Sequence, residues 1–262
     1  YQKKFSVSGV KVITYDISEG EKGEFSWEKL IKEGDRVSEQ DPRLFLSFRD
    51  QVDPYDVATI IYTSGTTSMP KGVKLSHFNI ISQVHGAEYR FPLDSKTDRA
   101  LSVLPLAHIF ERMLVYYYIS GGINIYFADS IGRIGALFKE VKPTICAIVP
   151  RVLEKIYTKM YASLESKKGV KRCIGDWAFA LAGDRKTSFF NKVQKRVADR
   201  LVYSKVQKIF GGKLKALVVG GAPLPKYLCC FFLDLGVPIY QGYGLTETSP
   251  VISTNYNKHN KP

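Results

Sequence analysis

Residues 58–72 read Ala-Thr-Ile-Ile-Tyr-Thr-Ser-Gly-Thr-Thr-Ser-Met-Pro-Lys-Gly. The first six, Ala58 to Thr63, are the β-branched and aromatic run expected of a buried strand. The strand gives way to a loop of hydroxyls and small residues with one lysine. Gly65 lets the backbone turn sharply and bring its N–H groups towards a ligand. Thr63, Ser64, Thr66 and Thr67 add hydroxyl donors and Lys71 adds a point charge, a set that suits a polyphosphate. A Walker A loop is the rival and fails on spacing, since it requires GxxxxGK[ST]. Gly65 is correctly placed before Lys71, but Pro70 stands at the second glycine and Gly72 at the magnesium-binding hydroxyl. A plain hydroxyl-rich surface loop is the blander alternative, disfavoured by the loop's place directly after a strand.

Working outward, short apolar runs alternate with helical patterns. Val10 to Tyr15, Ala100 to Leu104, Ile123 to Phe127, Thr144 to Val149, Leu214 to Val219 and Val237 to Tyr240 read as further buried strands. Helical stretches lie at 76–88, 108–120, 131–140, 152–163, 187–210 and 225–235, with a short helix at 26–30. Strand–helix alternation predicts an α/β fold with mostly parallel sheets flanked by helices. Ligands of such sheets bind beyond the carboxyl ends of the strands. Two more loops sit there: Gly220-Gly221-Ala222-Pro223, and the run from Gln241 to Pro250. In the second, Gly242 and Gly244 flank Tyr243, leaving an open backbone on which the ring can lie beside a planar ligand. Thr246 and Glu247 offer hard oxygen donors of the kind magnesium prefers.

The chain has 262 residues, 45% hydrophobic and 24% charged, an ordinary globular composition. No apolar run reaches the ~18 residues of a membrane-spanning helix. The four cysteines (Cys146, Cys173, Cys229, Cys230) and four histidines (His77, His85, His108, His259) show no metal-ligand spacing, so reduced, buried thiols are expected. The net charge is +13, and residues 151–215 hold 17 basic against 5 acidic side chains, nearly the whole imbalance. Within that block Phe189, Val193, Val197 and Leu201 recur at helical spacing and are read as a core-facing stripe. Lys192, Lys195 and Arg196 fall on the other side. The cationic face is either merely solvated, or it meets an anionic membrane surface or gathers anionic substrates. Aromatics interleaved for base stacking are lacking, so no nucleic acid is expected.

The motifs YTSGTTSMPKG (62–72), LPLAHIFER (104–112), GGAP (220–223) and QGYGLTET (241–248), in this order, resemble the acyl-adenylate-forming superfamily. LPLAHIFER and the basic helical insert at about 151–213 look most like long-chain acyl-CoA synthetases. The resemblance covers about residues 53 to 262, and Ser68 stands where glycine is commonest. It implies ATP-dependent activation of a long-chain fatty acid to acyl-AMP and transfer to coenzyme A, with ATP and Mg2+ as cofactors. Another carboxylic-acid-adenylating enzyme, for medium-chain, aryl or amino acids, is the alternative, and a basic membrane- or nucleic-acid-binding module is a more distant one.

By motif position the resemblance places Thr63, Ser64, Gly65, Thr66, Thr67 and Lys71 at the β- and γ-phosphates. Tyr243 would stack on adenine, with Gly221, Ala222, Pro223, Gln241, Gly242 and Gly244 around the nucleotide. Thr246 would touch the α-phosphate, Glu247 and Thr63 would hold magnesium, and His108 would sit at the acyl carboxylate. Lys71, Thr246, Glu247 and His108 are the candidate catalytic residues. Glu111 and Arg112 fit a structural ion pair as well as a substrate role. Phe110, Met113, Leu114, Tyr117 and Tyr118 fit ordinary core as well as an acyl tunnel. Residues 1–52 are read as the end of a first α/β subdomain plus connector, and 53–262 as the ATP- and acyl-binding subdomain. The family's ribose-binding aspartate motif and the lysine of its C-terminal cap domain do not occur, so a central piece of the large domain, inactive alone, is expected. The sequence leaves a homodimer open; a cytoplasmic place is expected, with peripheral attachment to the inner face of the membrane left open.

Overall fold

Continuous apolar strands need cover on both faces, and the order of elements supplies it. The computed structural model describes residues 26–63, 69–182 and 189–255. The chain divides into two compact units at Asp56/Val57. In the first, helix α1 (Trp27–Gln40) starts at Ser26, whose hydroxyl accepts from the Lys29 N–H at 3.3 Å. Helix α2 (Leu44–Asp50) comes next. The strand expected at Val10 to Tyr15 lies outside the described residues.

The second unit opens with an antiparallel hairpin, β1 (Val57–Thr63) and β2 (Lys71–Ser76), which forms its own two-stranded sheet. β1 therefore does not join a parallel sheet; the chain returns at Lys71 and pairs back on it. Ser76 then caps α3 (His77–Arg90) in a reciprocal box with Asn79. The main sheet holds β3 (Arg99–Ser102), β4 (Asn124–Phe127), β5 (Ile145–Ile148), β6 (Ala216–Val219), β7 (Ile239–Gly244) and β8 (Val251–Thr254), in the order β4-β3-β5-β6-β7-β8. All neighbours are parallel except β8, an antiparallel edge strand.

Side chains alternate between the two faces of this sheet. Leu101, Cys146, Ile148, Leu217, Val219 and Ile239 enter one core, with α5 (Ile134–Val141), α6 (Pro150–Glu165), α7 (Val170–Leu181) and, further along the chain, Leu228 and Phe232. Ala100, Ile145, Ala147, Ala216, Val218 and Tyr240 enter the other, under α3 and α4 (Ile109–Ser120). The three alanines on the second face let those two helices approach closely.

The helix expected at 187–210 is broken. It comprises α8 (Phe189–Ala198), a π-helical turn (Asp199–Tyr203), α9 (Ser204–Gln207) and a 3-10 turn (Lys208–Phe210), before α10 (Lys226–Asp234) further on. The stripe read as core-facing is not buried: Val193, Val197 and Leu201 are 42%, 46% and 43% exposed. Ala198 and Tyr203 are buried instead, the Tyr203 hydroxyl donating to the Ala178 carbonyl at 2.8 Å. Helical spacing identifies residues that share a face, not the direction in which that face points. Nor is the opposite face free, because Lys195 Nζ pairs with Asp234 at 3.0 Å. Cys146, Cys229 and Cys230 are buried as expected, whereas Cys173 is exposed.

At the amino edge of the sheet, buried Asp98 takes an ion pair from Lys215 at 2.7 Å and the Asp94 N–H at 2.8 Å. Burial opposes its ionisation, but Lys215, the Asp94 amide and the Thr144 hydroxyl together outweigh it and hold the carboxyl below its ordinary value of 3.8. A depressed folded-state pKa adds stability that is complete above 3.8 and is lost as pH falls through the folded value. Asp98→Ala is expected to cost about 1–3 kcal/mol at pH 7 through the orphaned partners. Urea denaturation should show that gap closing as pH falls below 3.8; a gap independent of pH would contradict the assignment.

Candidate active site

Strands β5, β6 and β7 run in register, with Ile148 opposite Val219 and Val219 opposite Gln241. β5 and β6 therefore end level, and β7 runs on past Gln241 to Gly244, so both glycine stretches lie at the same edge. Gly220 must be small there: a Cβ would lie 3.2 Å from both the Gly242 carbonyl oxygen and the Phe110 ring. Gly221 turns the chain at φ +80°. Gly221, Ala222 and Pro223 are exposed beyond it.

Tyr243 stands on β7, 63% exposed and without a ring contact among the described residues. Gly244 closes the next turn, where the Leu245 N–H donates to the Pro250 carbonyl at 3.0 Å. A Cβ at Gly244 would meet that same carbonyl oxygen at 1.8 Å. Thr248 secures the 3-10 turn Thr246–Thr248 by accepting from the Leu245 N–H at 3.0 Å. Thr246 is half-buried, and Glu247 is exposed with no hydrogen-bond or ion-pair partner among the described residues. Gln241 turns away from this edge, its amide meeting the Cys229 sulfur at 3.8 Å.

The hairpin comes to the same place. β2 packs against the Thr246–Thr248 turn. Thr63 and Lys71 are directly paired at the mouth of the hairpin, flanking the loop between them. Ser64, Gly65, Thr66 and Thr67 lie outside the described residues. His108 is the exposed N-cap of α4; its N–H donates to Pro105 O at 3.0 Å and its side chain makes no capping bond. The loops bearing Lys71, Thr246, Glu247, Gly221 and Tyr243 thus meet at one edge, with α4 contributing Phe110 beside Gly220.

Glu111 and Arg112 do not pair with each other. Arg112 donates from Nη1 to Thr59 Oγ1 at 2.7 Å and from Nε to the Leu106 carbonyl at 3.0 Å, tying β1 to the loop before α4. Glu111 points inward and is fully buried, and neither oxygen has a hydrogen-bond partner of ordinary geometry. Burial lifts its pKa from 4.5 to about 7, against the Ser102 hydroxyl and the Leu104 amide, which favour the charged form. Its neighbours include the Tyr118 hydroxyl and the Cys146 thiol; burial first, and then the Glu111 charge, push both well above their ordinary values. Met113, Leu114, Tyr117 and Tyr118 are core, whereas half-buried Phe110 alone of that stripe abuts the strand ends. The buried role of Glu111 was readable, since Glu111, Leu114 and Tyr118 share one helical face.

The model of the AMP-binding enzyme family matches residues 3–262, and the chain belongs to that family. Over 252 residues it is 33% identical to "Long chain acyl-CoA synthetase 6, peroxisomal" of Arabidopsis thaliana, covering 95% of this chain and 32% of that protein. Over 202 residues it is 38% identical to "Long-chain-fatty-acid--CoA ligase FadD15" of Mycobacterium tuberculosis, covering 74% of this chain and 33% of that protein. The chain thus spans about a third of the length of the curated relatives it matches. Among solved structures it resembles a long-chain-fatty-acid-CoA ligase (FadD1) from Archaeoglobus fulgidus, with TM-score 0.54, 23% identity, and coverage of 79% of this chain and 35% of that one. It also resembles O-succinylbenzoate coenzyme A synthetase from Bacillus subtilis in complex with ATP and magnesium ion, with TM-score 0.53, 20% identity, and coverage of 79% and 34%. These two likenesses establish the α/β fold.

Glu111 also sets a pH dependence. Between pH 4.5 and about 7 the unfolded chain ionises this carboxyl while the folded chain keeps it neutral. Stability is therefore expected to fall across that window by about 3 kcal/mol and to level off above it. Urea midpoints at pH 4.5 and pH 8 should reveal the fall in the wild type and a flatter profile in Glu111→Gln; equal slopes would refute it.

Proposed function

We propose that the protein of which these residues are part activates a long-chain fatty acid in two steps. The fatty carboxylate oxygen attacks the α-phosphorus of ATP, the bond to the bridging oxygen breaks, and pyrophosphate leaves with that electron pair. The coenzyme A thiolate then attacks the carbonyl carbon of the acyl-AMP, and AMP leaves. Both reactants of the first step are anions, and negative charge gathers on the phosphoryl oxygens in its transition state. Fixed positive groups and aligned dipoles are what such a step requires.

The observation that carries this reading is the meeting of the Thr63/Lys71 hairpin mouth with the Thr246–Thr248 turn beside the glycine loops of β6 and β7. Lys71 sits where it would neutralise terminal phosphates, with the 64–67 backbone and hydroxyls as further donors. Thr246 faces the α-phosphate, and Tyr243 offers a free ring face to adenine with Gly221, Ala222, Pro223, Gly242 and Gly244 alongside. Among the described residues no group of three or more metal-ligating side chains forms a cage. Mg2+ carried by a nucleotide keeps waters and phosphate oxygens and takes only one or two protein oxygens. Glu247 and Thr63 would supply those oxygens. When bound, the ion adds positive charge at the phosphoryl group. His108, at the N-terminus of α4 two residues before Phe110, stands at the carboxylate end of the acyl site.

Long-chain specificity is supported by the identity of 33–38% to relatives named as long-chain synthetases. The aryl acid of the Bacillus enzyme's name marks the competing substrate class. Residues 1–52 then close a first subdomain, and residues 53–262 carry nucleotide and acyl chain. The exposed Val193 and Val197 beside Arg196 favour contact of α8 with an anionic bilayer surface, from which fatty acids are drawn.

The full-length protein should catalyse ATP–pyrophosphate exchange with C14–C18 acids and not with aryl acids. Glu247→Ala is expected to lower it by about 100-fold with unchanged circular dichroism. Exchange supported only by short or aromatic acids would overturn the substrate, and a loss of merely a few-fold would overturn the metal role.

A further inference from the structure

We propose a second binding site in the basic helical block, a groove that takes the single chain of a free fatty carboxylate outside the nucleotide loops. α6, α7 and α9, with the turn preceding α5, line a cavity of about 1100 Å3. That is just above the roughly 300–1,000 Å3 typical of small-molecule pockets. Its floor includes Met160, Leu164, Phe179 and Val206, all buried in the core on the α5–α6–α7 face of the sheet. α4 and Phe110 pack on the opposite face. The groove and the acyl end of the adenylation site are therefore on different sides of the main sheet.

Charge identifies the occupant. Five lysines line the groove: Lys155, Lys159, Lys167, Lys171 and Lys205. None has an ion-pair partner among the described residues. The lone lining carboxylate, Glu154, is already taken by Arg151 at 2.7 Å. A free cationic rim above an apolar floor suits a ligand with an anionic head and a hydrocarbon tail. A neutral lipid would leave the rim unanswered, and a nucleotide would leave the floor dry and unfilled. Lysine stems lying on apolar surface can swing their ammonium groups to a carboxylate at the mouth while the chain displaces them from the floor.

This site is independent of the adenylation reading, because its occupancy is read without turnover. The full-length protein is exposed to a diazirine analogue of palmitate below its aggregation concentration, photolysed, and its labelled peptides are mapped. Saturable labelling within 150–181 and 199–209 is expected. Unlabelled palmitate should compete at least about tenfold better than hexadecanol, since only the acid carries charge. Ser163→Trp fills the groove from α6 and should abolish this labelling while circular dichroism and the urea midpoint stay unchanged. The surface pair Lys159→Glu with Lys171→Glu, which leaves the core intact, should weaken palmitate by about tenfold. Labelling confined to other peptides, unchanged in either variant, or competed equally by hexadecanol would overturn the proposal. So would loss of binding to phosphatidylglycerol vesicles in Ser163→Trp, which would make the groove a bilayer contact instead.

Discussion

Among the described residues, the β1–β2 hairpin shares no strand pairing with the main sheet, so its position depends on what joins it to its neighbours, α4 above all. A two-stranded hairpin is at best marginally stable alone. Ile61 from β1, Leu75 from β2 and Ile109 from α4 form a small buried cluster that anchors it. Arg112, one turn along α4, adds two directed bonds, to Thr59 and to the Leu106 carbonyl. The planar guanidinium makes both at once in fixed geometry, which a lysine ammonium does not reproduce. Because Thr59 lies on the strand that ends at Thr63, and Leu106 lies in the loop that ends at His108, one side chain sets the spacing between the mouth of the hairpin and the start of α4.

The rest of the site depends on how little side chain the strand ends carry. Gly220 and Gly242 bring two backbones and one phenylalanine ring into contact, and Gly244 lets the chain close on Pro250. Backbone takes the space that side chains would fill, and Tyr243 is left standing with an open ring face. Beneath this edge the sheet holds an uncompensated carboxyl. Glu111 is fully buried beside the loop from Ser102 to Leu104 that leads to His108.

The buried strands were legible because parallel strands are apolar on both faces. The runs at Ala100, Thr144 and Leu214 overlap the buried β3, β5 and β6, whereas the run at Ile123, read as buried too, overlaps β4, an edge strand that is mostly exposed. β2 escaped because Lys-Gly-Val-Lys-Leu-Ser is half-exposed and pairs on one side only. α7 escaped because Gly175 interrupts its apolar face, at a place where a Cβ would strike Leu164 at 2.2 Å. The loops of the site were legible through their glycines and hydroxyls, whereas Arg112 was not, since its partners Thr59 and Leu106 are linked to it only by the folded chain. The orientation of α8 was illegible for a related reason. Its apolar stripe is real, but the π turn at 199–203 and the burial of Ala198 and Tyr203 rotate the helix so that the stripe faces outward.

That rotation changes what the basic block is. A cationic face opposite a buried stripe would be an ordinary solvated helix surface. Here Lys195 is drawn inward to Asp234, Val193, Val197 and Leu201 are turned to solvent, and Leu201 lies on the rim of a lysine-lined groove. Apolar and cationic surface therefore coincide on the same side of the molecule. Charge alone would attract any anion, including nucleic acid, and would fade as salt screens it. Apolar surface alone would attract any hydrocarbon. Their coincidence selects amphiphilic anions, the one class of molecule that satisfies both surfaces, and it holds them by contacts that salt weakens only in part.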